Sequence, residues 1–120
     1  MNHFTTLAAL LVMVLGVGCG KKASPDGESS LGFARDIKVI MAKFCFECHG
    51  VEHREAELDL RTVESILAGG ESGAAIVPGK PEESILFEMI HDEHMPPEGK
   101  MPGADDIERV RQWIASGARP

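Results

Sequence analysis

Phe44-Cys45-Phe46-Glu47-Cys48-His49-Gly50 is the stretch on which the reading of this chain turns. Its centre is Cys-x-x-Cys-His, the attachment sequence for a c-type haem. Two thiols one helical turn apart can add to the two vinyl groups on one edge of the macrocycle, and the adjoining histidine then comes under the iron. The thioethers hold the group permanently, with the His49 imidazole as proximal ligand. A thioredoxin-like redox pair at Cys45 and Cys48 calls for a βαβ setting, and a structural zinc site calls for a second pair of ligands. Neither is visible, although His53 beside His49 keeps zinc as a minor alternative.

Upstream of the motif, Phe33, Ile37, Ile40, Met41 and Phe44 recur at helical spacing and predict an amphipathic helix leading into the cysteines. At the far end Ile107, Val110, Trp113 and Ile114 repeat the period. Ala104-Asp105-Asp106 reads as a capped start there and Gly117 as the stop. Trp113 is expected to pack on the first helix with its ring N–H bonded to something polar. Two shorter helices are expected between them, over residues 63–67 before Gly69-Gly70 and over residues 82–90 after Pro81. No alternating apolar stretch is long enough for a strand, and no repeat is present. The pattern is all-α with long irregular connections.

An iron that only passes electrons usually takes a second axial ligand, and methionine raises the potential. Met95, in His94-Met95-Pro96-Pro97, lies in a proline-stiffened loop and is the first candidate. Met101 before Pro102 is its nearest rival, and His91 and His94 offer imidazole alternatives. Met41 and Met89 fall on apolar helical faces and read as core. A proximal histidine also needs an acceptor for its other ring nitrogen, for which the Pro78 carbonyl is the candidate; a plain Pro78-Gly79 turn is the alternative. Arg61 is a candidate contact for a haem propionate, against an ordinary surface charge.

Residues 7–17 form an apolar run, too short to span a bilayer as a helix and right for the core of an export signal. Leu15-Gly16-Val17-Gly18-Cys19 resembles a bacterial lipoprotein signal, which implies removal of residues 1–18 and lipidation of Cys19. Residues 19–32, rich in Gly, Ser, Pro and charge, read as a flexible linker, which leaves residues 33–120 as the haem domain. Lys and Arg number 12 against 19 Asp and Glu, a net charge of −7 that makes nucleic acid an unsuitable partner. A mature chain this small buries a modest share of its surface, and a central haem would help to stabilise it.

Several further stretches carry a resemblance: Leu58-Asp59-Leu60-Arg61, Gly69-Gly70-Glu71-Ser72-Gly73, residues 76–84 (Ile-Val-Pro-Gly-Lys-Pro-Glu-Glu-Ser), Met95-Pro96-Pro97 and Trp113-Ile114-Ala115-Ser116-Gly117-Ala118. Together with the haem motif they resemble the planctomycete-type cytochrome c domain, a relative of class I cytochromes c, over about residues 33–118. The resemblance implies a class I fold in which the first and last helices cross around one haem c held by Cys45 and Cys48, with His49 and Met95 on the iron. It departs from the family at Met101, where leucine is usual. The function expected is an electron carrier rather than an enzyme. The expected protein is a monomer on the periplasmic side of the envelope, held by a lipid anchor, with the outer membrane favoured, and it serves other redox proteins. An open iron site serving ligand sensing or peroxidase-like chemistry is the alternative.

Overall fold

A computed structural model of the chain describes residues 30–120. The expected signal segment, Cys19 and the linker as far as residue 29 lie outside the described residues. A π-helical turn at Phe33–Ile37 runs directly into α1 (Lys38–Phe44), followed by α2 (Val63–Ala68), α3 (Ile85–His91) and α4 (Ala104–Ala115). Single 3-10 turns occupy Glu55–Glu57 and Pro81–Glu83. Among the described residues there is no strand, only the isolated bridges His49–Arg54 and Gly70–Gly73. The described residues are all-α, as the apolar periodicity predicts.

The expected first helix forms across residues 33–44, but its opening turn is wound as π rather than α. Phe33, Ile37, Ile40 and Met41 are buried from it, at the predicted spacing. α2 starts at a capping box: Thr62 Oγ1 accepts the Ser65 N–H at 3.1 Å, and Ser65 Oγ accepts the Thr62 N–H at 3.3 Å. Gly69 stops it at φ 72°, ψ −163°, a backbone region open in practice to glycine alone. α4 begins after Gly103 with no side-chain cap, so Asp105 and Asp106 act on its first turn through charge rather than as capping acceptors.

The expected helix over residues 82–90 divides in two. Ser84 is extended (φ −101°, ψ 115°), which separates the Pro81–Glu83 turn from α3. Its hydroxyl accepts the Val77 N–H at 2.9 Å and donates to the Lys80 carbonyl at 2.8 Å, closing the turn through Pro78-Gly79. Ser84 is the one buried polar residue among those described and is fully hydrogen-bonded, which offsets the loss of helical continuity.

α4 packs on both the opening π turn and α3. Val110, Trp113 and Ile114, all fully buried, form its inner face. Phe33 and Trp113 meet with ring centroids 5.6 Å apart. Leu31, from the end of the expected linker, also packs against this core. The first and last elements are therefore joined, and the middle of the chain is left to wall the cleft between them.

Candidate functional site

The turn that carries the motif continues α1. The Cys45 N–H bonds to the Met41 carbonyl at 2.8 Å, and the His49 N–H bonds to the Cys45 carbonyl at 2.8 Å. Cys45, Cys48 and His49 thus stand at i, i+3 and i+4 of one helical turn and share a face. Gly50 ends it where a side chain has no room: a Cβ there would lie 2.3 Å from the Phe46 carbonyl oxygen. The residue types of the motif and its glycine follow from this geometry.

All three side chains border one apolar cleft. Ile40 and Met41 of α1, Leu58 and Leu60, Leu86, Met89 and Ile90 of α3, and Val110 of α4 supply its walls. Met95, Pro96, Pro97 and Pro102 close one side, while the turn from Gly70 to Gly73 forms part of the rim. Met95 is carried there by α3, since the N–H groups of His94 and Met95 both bond to the Met89 carbonyl at 2.9 Å. Its side chain is part-exposed at the mouth, whereas Met41 is fully buried. Met101 does not line the cleft, and neither do His91 and His94. His91 instead pairs with Asp92 at 2.8 Å and meets Phe87 with ring centroids 5.2 Å apart and the planes tilted by 43°.

Pro78 and Arg61 are not brought to the cleft. Pro78 is exposed, and the Gly79 N–H next to it bonds to the Ile114 carbonyl at 2.7 Å, so this turn braces the end of α4. His49 Nδ1 is buried and has no hydrogen-bond partner among the described residues, the Pro78 carbonyl included. Arg61 is held by Asp59, with Nε at 3.0 Å from Oδ1 and Nη2 at 2.7 Å from Oδ2. The hydrogen bonds from Arg61 draw the Asp59 carboxyl down to about 2. The wall residues Leu58 and Val110, the glycine rim and Asp59 were not assigned to the site from sequence. For Asp59 the signal is Leu58-Asp59-Leu60-Arg61, an acid between two leucines with a base two residues on.

Burial first, and the neighbouring Cys48 second, push the Cys45 thiol up to about 11. Such a thiol stays protonated at neutral pH, unlike the low-pKa cysteine of a thiol–disulfide enzyme. Among the described residues no three His, Cys, Asp or Glu side chains come together as a metal cage, so the zinc reading gains nothing. The residues do fit a covalent haem: two free thiols and an imidazole on one turn, a buried ring nitrogen without a partner, a thioether nearby and apolar walls.

The family model described as Planctomycete cytochrome C matches residues 45–99. Over that stretch the chain is similar to the planctomycete-type cytochrome c domain. The match takes in the motif turn, the glycine rim, α3 and the Met95 loop, and stops short of α4. No curated protein and no solved structure matches the chain.

Proposed function

We propose that the chain is an exported, lipid-anchored mono-haem cytochrome c that carries single electrons between redox proteins of the cell envelope as a monomer. The observation that carries this reading is the gathering of Cys45, Cys48, His49 and Met95 around one apolar cleft. When bound, the haem supplies a one-electron iron couple. Cys45 and Cys48 would hold it by thioethers, and His49 and Met95 would be its axial ligands. The aliphatic walls from α1, α3 and α4 keep water from most of the cleft and lower the local dielectric. Proline at 96 and 97 stiffens the loop that presents Met95, so that less order has to be gained on each change of oxidation state. The similarity of residues 45–99 to the Planctomycete cytochrome C family supports an electron carrier over an enzyme.

The reading is tested by intact mass and a reduced-minus-oxidised spectrum of the full chain matured with haem c machinery. A mass gain of one haem with a reversible c-type spectrum is expected. No covalent haem, or more than one, overturns it. Rapid carbon monoxide binding by the reduced protein at neutral pH would replace the carrier by an open-site sensor or peroxidase-like module.

A further inference from the structure

A histidine that ligates a metal is usually aimed by a hydrogen bond to its second ring nitrogen. His49 Nδ1 has no such partner among the described residues. The placement of the imidazole then rests on the main chain that carries it. That main chain is tied on both sides: the Cys48 carbonyl accepts the Glu55 N–H at 2.9 Å, and the His49 carbonyl accepts the Leu60 N–H at 3.0 Å. The Gly50 N–H adds a bond to the His53 carbonyl at 2.8 Å, and His49 and Arg54 form an isolated bridge.

The segment supplying those partners has little apolar packing of its own. Residues 51–57 are all exposed, and Ala56 and Glu57 sit at positive φ, 56° and 57°. Its fixed point is Asp59, whose side chain is only 15% exposed. The carboxylate accepts the Arg61 main-chain N–H at 3.0 Å and the Arg61 guanidinium at 2.7 Å, and reaches the Arg54 guanidinium at 3.5 Å. Arg54 faces His49 across the bridge, and Leu60, between Asp59 and Arg61, bonds to the His49 carbonyl.

We infer that Asp59 is the positioning residue for His49: by holding Arg54 and Arg61 on either side of Leu60, its carboxylate fixes the main chain that presents the imidazole to the cleft. This rests on the haem reading above. It gives Arg61 a different part from the propionate contact expected of it, as one arm of the clamp behind the proximal ligand.

The test uses the full chain matured with haem, as wild type, Asp59→Ala, Asp59→Asn, Asp59→Glu and Glu108→Gln. The last variant breaks the Arg111–Glu108 pair on α4 (2.8 Å), away from His49, and controls for loss of any one ion pair. Haem per chain is read by intact mass, and the ferric spin state by absorption at neutral pH. Asp59→Ala is expected to lower haem per chain about tenfold or to add a high-spin component beyond that of wild type, and Asp59→Glu is expected to reverse the change. If Asp59→Ala does not accumulate, Asp59→Asn decides by the same two readings, because it removes the charge and keeps the shape. Wild-type values for both readings overturn the proposal, and so does an equal change in Glu108→Gln. A wild-type chain without haem brings down the function itself, an outcome distinct from either.

Discussion

Trp113 donates its indole N–H to the main-chain carbonyl of Arg119 at 2.8 Å, and the Phe33 N–H reaches the same oxygen at 3.0 Å. The last helix is thereby closed onto the first element by one carbonyl from the C-terminal tail. The indole is fully buried, so its N–H cannot turn to water if that acceptor is lost.

Trp113→Phe keeps an aromatic ring and removes the donor, and should cost about 1–2 kcal/mol. Trp113→Ala should cost about 4 kcal/mol through the cavity it leaves. Urea unfolding of the haem-loaded chain measures both. Equal stability of wild type and Trp113→Phe would mean that the bond to Arg119 contributes nothing.

Met95 and Met101 separate in one experiment. Met95 lines the cleft and Met101 does not. The weak sulfur-to-iron band near the red end of the ferric spectrum should vanish in Met95→Ala and persist in Met101→Ala. The reverse result would transfer the sixth ligand to Met101.

Two glycines of positive φ should respond differently to alanine. At Gly69 (φ 72°) a Cβ would lie 1.8 Å from the Gly73 carbonyl oxygen, so the rim of the cleft must move as well as absorb backbone strain. At Gly79 (φ 83°) a Cβ meets nothing within 4 Å. Gly79→Ala should therefore cost about 1–2 kcal/mol, the left-handed strain alone. Gly69→Ala should cost about 3 kcal/mol or more and lower haem per chain. Thermal unfolding and intact mass give the two readings.

Acid should weaken the clamp behind His49. The Asp59 carboxyl, ordinarily near 3.8, lies at about 2 in the folded chain, chiefly through hydrogen bonds from Arg61. A folded-state value below the unfolded one means that the unfolded chain takes up the proton first, so the stabilisation is present above about pH 4 and is lost between about pH 4 and 2. Glu108, drawn down from 4.5 to about 2 chiefly by hydrogen bonds from Arg111, contributes a parallel loss. Urea midpoints measured across that window should fall less steeply in Asp59→Asn than in wild type. Identical slopes would show that the carboxylate gives no folded-state stabilisation there.

Much of the molecule was legible in the chain because its signals are local. Phe33 to Phe44 and Ile107 to Ile114 carry helical periodicity, and burial follows it at Ile37, Met41, Val110 and Trp113. Ser84 shows where local reading failed. Residues 82–90 look helical by themselves, yet the Ser84 hydroxyl gains more by closing the Val77–Lys80 turn, whose hydrogen bonds belong to a neighbouring segment. Pro78 misled for a related reason: a Pro-Gly turn announces its shape but not its address, and here Gly79 is bonded to the end of α4.

By itself the sequence determined the helical class, the two ends of the core and the Cys45-Cys48-His49 set, because spacing within one turn brings those side chains together wherever the turn lies. Only the tertiary structure decided that Met95, not Met101, joins Met41 and Met89 at the cleft, which other residues wall it and which main-chain bonds tie the segment carrying His49. Those depend on contacts between segments distant along the chain: Met95 carried by the Met89 carbonyl, Val110 reaching the cleft from the last helix, and Asp59 gripping Arg54 and Arg61 behind the histidine. Such contacts are set by packing, and no periodicity in the sequence encodes them.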